Sequence, residues 1–230
     1  LVSSSAASDV YKRQIINYGS SFVGALTFSV TDSHWFNAVE AEVYAMSTFF
    51  TGIVVWLILL WSRKEGTKGN VRYIIVIAYM IGIATGVHLL NLLTLPFLAL
   101  IVYFKKRKYT LSSFIMLIPI PLIVYLIIYQ GIIKGLPNIA QNFGITSIIF
   151  ITIIFIGLIY YCIENKYFTS ATIFTSFFLV IVGYSTYASI FIRAQQAPFI
   201  NENDPSTIPK AISYLNREQY GDWSITDRAQ

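Results

Sequence analysis

Long apolar runs without a single charge are the feature that most constrains how this chain can fold. One run covers residues 43–61, follows Glu40 and Glu42, and is succeeded by Arg63 and Lys64. A helix needs about 20 apolar residues to cross a hydrocarbon core of about 30 Å. The run therefore predicts a spanning helix that enters the bilayer at an acidic end and leaves it at a basic one.

Composition agrees with a membrane protein and excludes most soluble classes. The 230 residues are 56% hydrophobic and 12% charged, with a mean hydropathy of +0.64, whereas soluble domains carry about 25% charged residues. The net charge of +5 does not indicate nucleic-acid binding, because the cations cluster in short runs between apolar segments. The single Cys162 has no partner for an intrachain disulfide. The predicted fold class is all-α, a polytopic membrane helix bundle.

The chain divides into three parts by sequence character. Residues 1–14 resemble the translation of an adapter used in DNA sequencing libraries, so we predict that they are disordered and foreign to the fold. Residues 15–192 alternate apolar runs with short polar loops and predict the transmembrane domain. Residues 193–230 are rich in turn-forming residues and predict the start of an external soluble segment, truncated at the end of the chain.

About seven membrane passes are predicted. Residues 73–104 would form a helix of roughly 48 Å, too long for one pass, and basic runs flank both ends. This segment therefore predicts a hairpin of two short helices with a tip near residues 86–91 and Pro96 in the return helix. The other passes are predicted at residues 15–30, 43–61, 111–133, 145–163 and 168–192.

Two features modify the later passes. Pro119 and Pro121 lie inside the fourth apolar run and predict a kink. Residues 134–144 contain two glycines, a proline and two asparagines and predict a polar turn. Ser206 and Pro209 predict the start of a helix in the external segment.

The charge distribution predicts which loops face the cytoplasm. Basic residues concentrate on the cytoplasmic side of membrane proteins, so residues 31–42, 86–94, 134–144 and 193–230 are expected outside. The chain is expected to cross a cytoplasmic membrane in this orientation. The cations assigned to the cytoplasmic side are Arg63, Lys64, Lys68, Arg72, Lys105, Lys106, Arg107, Lys108 and Lys166.

The two glutamates before the second span have separate interpretations. Glu40 lies three residues after Asn37, a spacing that predicts a capping box at a helix N-terminus. Glu42 points to a different helical face, and an ionisable group at a membrane boundary indicates a functional role unless it is paired.

Polar residues at the predicted hairpin tip and at the last span are further candidates. His88 and Asn91 share a helical face and predict either a pair that satisfies the broken backbone or a contact with a phosphate or sugar hydroxyl. Arg193 ends the last span and predicts either a contact with a lipid phosphate or a side chain that reaches to the interface. A tetrahedral metal site is not expected, because Cys162, His34 and His88 are the only thiol and imidazole groups.

Three stretches carry a resemblance to a known family. They look like a bacterial multi-pass membrane family, long labelled a domain of unknown function, that is related to the transmembrane protein O-mannosyltransferases. The resemblance covers residues 15 to about 221. Its motifs are residues 35–46, residues 86–93, and residues 200–205 followed by 214–221.

The resemblance implies the architecture of the C-type integral-membrane glycosyltransferases. Such enzymes pass a sugar, here expected to be mannose, from a polyprenyl-phosphate donor to a protein or glycan hydroxyl on the non-cytoplasmic side. The family's acidic catalytic loop is expected before the start of this chain, so no residue of the chain takes the role of base. Membrane lipid is a further expected partner, and no cofactor or nucleic acid is implied. The candidate site-lining residues are Glu40, Glu42, His88, Asn91, Arg193, Glu202 and Asp204.

Two other classes remain open from the sequence. A transporter or flippase would use the broken segment at residues 73–104 as a discontinuous substrate-binding helix. A non-catalytic membrane scaffold would use the external tail to bind a partner.

Overall fold

The computed structural model describes residues 4–40, 43–67, 69–216 and 218–221. These residues form helices joined by short turns, with no β-strand among them, which confirms the all-α prediction. The chain divides into two compact units, residues 1–48 and residues 49–230.

The first unit contains two helices and the start of a third. Helix α1 spans Ser4–Ser29, and the Thr31 hydroxyl ends it by donating to the Phe28 carbonyl at 2.8 Å. Residues 4–14 are therefore helical, where the sequence predicted disorder. This stretch contains neither glycine nor proline, so nothing in it interrupts a helix.

Helix α2 spans Asp32–Val39, and its bounds show that the capping box predicted at Asn37 and Glu40 is wrong. Asn37 lies inside this helix and donates to the Ser33 carbonyl at 2.6 Å, so it caps no N-terminus. Glu40 is the residue at the C-terminal end of α2, in an extended conformation. The helix begins after Thr31 instead, because Asp32 supplies a carboxylate to its first turn.

The second unit carries the apolar helices. Among the described residues, five helical stretches are long and apolar enough to cross a membrane, so the chain is a multi-pass membrane protein. Helix α1 is not among them, and the pass predicted at residues 15–30 stays a prediction. The five stretches are Tyr44–Arg63, Leu89–Lys106, Leu111–Phe143, Thr146–Glu164 and Phe168–Gln195, accompanied by the shorter Val71–Val87.

The predicted break between residues 73 and 104 is confirmed. Helix α3 is Tyr44–Arg63, and helix α4 is Val71–Val87. His88 is extended (φ −156°, ψ 131°), and a 3₁₀ segment at Leu89–Leu93 leads into helix α5 (Thr94–Lys106). Pro96 lies in the first turn of α5, where its missing N–H removes no helical hydrogen bond.

The stretch from residue 111 to residue 143 is one interrupted helical run. Helix α6 (Leu111–Ile115) ends in a turn, and helix α7 (Pro119–Leu126) starts at a proline, as the predicted kink requires. A π-helical segment (Ile127–Lys134) then passes directly into helix α8 (Gly135–Phe143).

Helix α8 shows that the polar turn predicted at residues 134–144 is wrong. Asn138 donates to the Lys134 carbonyl at 2.8 Å, and Pro137 lies in the first turn, where it is tolerated. The segment is amphipathic, with Leu136, Ile139 and Phe143 at helical spacing among polar residues, so it forms a helix that ends at Gly144 (φ 79°).

The remaining helices are joined by two short turns and a strap. Lys166 (φ 60°) turns the chain between helices α9 and α10, as predicted. A 3₁₀ turn at Ser185–Tyr187 joins α10 to α11, and residues 196–207 form a strap before α12. The bounds are α9 (Thr146–Glu164), α10 (Phe168–Tyr184), α11 (Ala188–Gln195) and α12 (Ile208–Asn216).

Helices α4 and α10 cross so closely that their backbones are in contact. A Cβ atom added to Gly82 would lie 2.4 Å from the Val180 carbonyl oxygen, and one added to Gly183 would lie 2.5 Å from the Tyr79 carbonyl oxygen. Only hydrogen side chains permit this approach, as is typical of helix pairs in lipid. The buried core gathers around the crossing and includes Val54, Ile58, Ile77, Ile81, Leu92, Ile128, Ile132 and Val180.

Apolar residues cover much of the outer surface as well. Ile149, Phe150 and Ile153 on α9 are each more than half exposed, and Cys162 is the buried residue of that helix. A helix that is apolar on all sides is stable only where its surroundings are apolar too. The bilayer provides those surroundings.

Candidate functional site

Asn91 holds the tip between α4 and α5 together from the inside. Its side chain is 2% exposed, and its amide donates to the carbonyls of Ala84 at 3.0 Å and His88 at 2.9 Å. Its oxygen accepts from the Thr51 hydroxyl at 3.0 Å. The Ala84 carbonyl also accepts from the His88 N–H at 2.9 Å, and the His88 carbonyl from the Asn91 N–H at 3.1 Å, so the amide adds a second donor to each carbonyl. Asn91 therefore supports the tip and leaves neither amide proton for a ligand.

His88 lies at the same tip with a half-buried ring. Its Nδ1 accepts from the Leu90 N–H at 3.0 Å, so the neutral ring carries its proton on Nε2. Asn91 bonds to the backbone carbonyl of His88 and not to the imidazole. His88 and Asn91 therefore interact through the His88 main-chain carbonyl. The hydrogen bond from the Leu90 N–H orients the imidazole ring.

Tyr187 joins this tip to the end of α10. Its Cβ lies 3.4 Å from the position that a Cβ would take at Gly86, so the two backbones are close. The ring stacks on Tyr184 with centroids 5.4 Å apart and meets Phe191 edge-on at 5.7 Å. Tyr187 also lies beside Tyr214 of α12. An aromatic column of Tyr184, Tyr187, Phe191 and Tyr214 therefore connects the tip to α12.

An open pocket of about 690 Å³ lies between α11, the strap and α12, and we call it the outer pocket. Arg193 and Glu202, two of the candidate site-lining residues, both line it. The guanidinium of Arg193 donates to the Gln196 side-chain oxygen at 2.9 Å, and within the described residues it forms no salt bridge. Asn201 and Tyr214 supply further polar groups to the wall.

Asp204 lies beside the outer pocket and ties the strap together. Its carboxylate forms a salt bridge with Lys210 of α12 and accepts from the Asn201 amide at 2.8 Å. The Lys210 ammonium, with a smaller contribution from Ser206, holds the pKa of Asp204 below its ordinary value. Asp204 is left-handed (φ 40°), as is Asn203 (φ 58°), so the strap makes a tight turn at this point.

Glu40 and Glu42 belong to the motif at residues 35–46. Glu40 is an exposed residue of the first unit, and Glu42 lies outside the described residues. The structure thus brings together Arg193, Glu202 and Asp204 at the strap and His88 and Asn91 at the tip.

The sequence did not single out Tyr187, Gln196 or Tyr214. A signal existed for the aromatic column, since Tyr184, Tyr187 and Phe191 follow one another at helical spacing. Nothing local connects Tyr214 to that column. In the part of the chain that the structure describes, no cluster of three metal-ligating side chains occurs.

An all-helical chain with several membrane-length helices and a polar pocket at a helix end defines a multi-pass membrane protein with a candidate binding site. Residues 2–113 match the family model of the protein O-mannosyl-transferase TMEM260 N-terminal domain. The match supports a relation to O-mannosyltransferases and a glycosyltransferase-like function. Comparisons with curated proteins and with solved structures find no match.

The matched range contains the candidate residues of the tip but not those of the outer pocket. It begins at residue 2, and so takes in most of the segment that resembles an adapter. It includes the motif at residues 35–46 and the tip with His88 and Asn91. The outer pocket, built from residues 189–214, lies beyond it.

Proposed function

We propose that this chain is part of a membrane glycosyltransferase that moves a sugar, mannose in our hypothesis, from a polyprenyl-phosphate donor to an acceptor hydroxyl. The reaction would take place on the non-cytoplasmic side of a bacterial cytoplasmic membrane, within the C-type architecture. The family match at residues 2–113 supports the class of reaction. The outer pocket supports the location of the site.

The observation that carries the proposal is the position of Arg193 in the wall of the outer pocket. Arg193 ends the last apolar stretch, at the level where the phosphate of a membrane-embedded donor would lie. It has no carboxylate partner among the described residues, and Gln196 orients its guanidinium at 2.9 Å. Such a planar donor matches the geometry of a phosphate.

Glu202 and Asn201 complete the polar wall around that cation. The Asn201 amide donates to Asp204 and to the Ala194 carbonyl, so its oxygen and the Glu202 carboxylate are the groups that can accept hydrogen bonds from sugar hydroxyls. We assign Glu202 to binding of the sugar or the acceptor. The catalytic base is not assigned to any residue of this chain.

Donor binding tests the proposal most directly. The chain is placed in phospholipid nanodiscs and titrated with polyprenyl-phosphate mannose. Transfer to an acceptor protein is measured in an intact relative that carries the family's acidic catalytic loop and the same substitutions. We expect Arg193→Gln to weaken donor binding by about 10- to 100-fold, since a hydrogen bond to a charged group contributes about 1.5–3 kcal/mol. Glu202→Gln should lower transfer more than donor binding.

Two matched variants serve as controls. Arg63→Gln and Glu164→Gln make the same charge changes at exposed residues away from the outer pocket and should leave both readouts unchanged. Equal donor affinity in Arg193→Gln and Arg63→Gln would contradict the assignment. Sugar uptake into proteoliposomes without glycan transfer would favour the transporter instead.

A further inference from the structure

A second, more apolar cavity lies at the opposite end of the second unit, and we call it the inner cavity. Its volume is about 650 Å³, within the range of about 300–1,000 Å³ typical of small-molecule pockets. The walls come from α4, α5, α7 and α10, and include Ile77, Leu98, Val124 and Phe177. Nothing in the glycosyl-transfer proposal uses this cavity.

The mouth of the inner cavity is cationic. Lys106 and Arg107, at the end of α5, line it. The Lys106 ammonium lies 3.5 Å from Glu65 and over the ring of Trp61, 5.9 Å from its centroid. Arg107 forms no salt bridge with a described carboxylate. The mouth therefore presents a net positive charge at the rim of an apolar space.

Hydroxyl groups line the same end of the inner cavity. Tyr103 and Ser113, both at the wall, share a hydrogen bond of 2.6 Å. Thr172 and Ser176 follow on α10, one helical turn or about 6 Å apart. The hydroxyl oxygen of Ser176 is buried and, among the described residues, has no hydrogen-bond partner. A ligand acceptor atom at that depth would supply one.

We infer that the inner cavity binds one acyl chain of an anionic phospholipid whose phosphate rests on Lys106 and Arg107. The apolar walls match the chain, the cationic mouth matches the phosphate, and the Ser176 hydroxyl matches an ester carbonyl below the headgroup. The mouth lies among the basic loops, which mark the cytoplasmic leaflet, where anionic lipids are concentrated. This site is independent of glycosyl transfer.

The inner cavity is separate from the outer pocket. Thr172 lines the first and Arg193 lines the second. The helical stretch between them covers 21 residues, roughly 30 Å at the rise of a helix. One lipid cannot place its phosphate at both ends, so the inner cavity is not the site of the proposed sugar donor.

Photocrosslinking tests this inference on the full chain in nanodiscs of phosphatidylcholine. The probe is a phosphatidylglycerol with a photoreactive group in its acyl chain, and crosslinked peptides are mapped by mass spectrometry. We expect labels on α5, α7 and α10. Unlabelled phosphatidylglycerol should displace the probe at a concentration about tenfold lower than the zwitterionic phosphatidylethanolamine of the same chains needs, as one charge-assisted hydrogen bond predicts.

Two double variants separate a specific site from general attraction to a charged surface. Lys106→Gln with Arg107→Gln should reduce labelling about tenfold, while Lys105→Gln with Lys108→Gln, which removes the same charge from the same loop, should not. Ala99→Phe, which fills the inner cavity, should abolish labelling, and Ala188→Phe on α11 should not.

Three results would overturn the inference. Equal displacement by the two phospholipids would remove the role of the cations. An equal loss of labelling in the two double variants would show that general surface charge, and not a specific phosphate site, attracts the lipid. Displacement by polyprenyl phosphate at lower concentration than by phosphatidylglycerol would assign the inner cavity to a different lipid.

Discussion

Asn91 is the side chain on which the tip between α4 and α5 depends most. Replacement by alanine removes the two amide hydrogen bonds to the carbonyls of Ala84 and His88 and takes away the acceptor of the Thr51 hydroxyl. We expect Asn91→Ala to lower the free energy of unfolding by about 1–3 kcal/mol. Unfolding by sodium dodecyl sulfate in mixed micelles measures the change.

Thr51→Val is the matched control for that variant. It removes only the hydrogen bond from the Thr51 hydroxyl to Asn91, and single interhelical bonds of this kind in membranes average about 0.6 kcal/mol. A loss as large as that of Asn91→Ala would show that the two carbonyl bonds contribute little to the stability of the tip.

Asp204 should make the strap sensitive to acid. Its pKa is lowered by Lys210 in the folded state, so its stabilising contribution is present above the unfolded pKa of about 3.9 and is lost as pH falls through the lowered folded value. A carbon-13 NMR titration of the Asp204 carboxyl should find that lowered pKa. Lys210→Met should raise it, whereas Asn216→Ala should not.

The sequence identified part of the candidate site and missed part for a physical reason. Arg193 was predicted because it is a charge at the end of the last apolar run, and Glu202 because it lies in the motif at residues 200–205 that carries the family resemblance. Tyr187 and Tyr214 come from separate helices and meet only once the strap has folded back. Aromatic residues are also common at membrane interfaces, so their type gave no signal.

At the scale of elements, the crossing of α4 and α10 is the contact that tolerates least change. Gly82→Ala would place a methyl group 2.4 Å from the Val180 carbonyl oxygen, which the two backbones can avoid only by moving apart. We expect a loss of about 1–3 kcal/mol in the free energy of unfolding, as for other overpacked sites. The same micelle unfolding assay measures it.

Gly157→Ala is the control for the helix crossing. Gly157 lies in α9, and a Cβ added there meets no atom within 4 Å. Alanine in a helix interior is more favourable than glycine by up to about 1 kcal/mol, so this variant should be neutral or stabilising. Similar destabilisation of both variants would mean that the crossing is not the cause.

Helix starts and kinks were predicted correctly where a proline restricts the backbone. They were predicted less well where the only signal was the average polarity of a segment. Pro96 and Pro119 correctly indicated the start of a helix or a kink, because proline restricts the backbone wherever it lies. Residues 134–144 were assigned to a turn on their polar content, but the π-helical segment before them carries the helix through. Asn37 was assigned to a cap, although an asparagine also occurs inside helices when its amide bonds back one turn.

At the scale of the whole molecule, the orientation in the membrane is a prediction that labelling can test. In a Cys162→Ser background, a cysteine is placed at Asn203 or at Lys108. A maleimide that cannot cross membranes should label the Asn203→Cys variant in intact cells, and the Lys108→Cys variant only after permeabilisation. The reverse pattern would invert the assignment of every loop.

The length of helix α4 indicates how thick the hydrocarbon core around the protein can be. Its 17 residues extend about 26 Å, less than a typical hydrocarbon core of about 30 Å. A short helix is accommodated by local thinning of the bilayer. Lipids with longer tails should therefore draw the His88 tip below the headgroups, and the protein should partition toward thinner membranes.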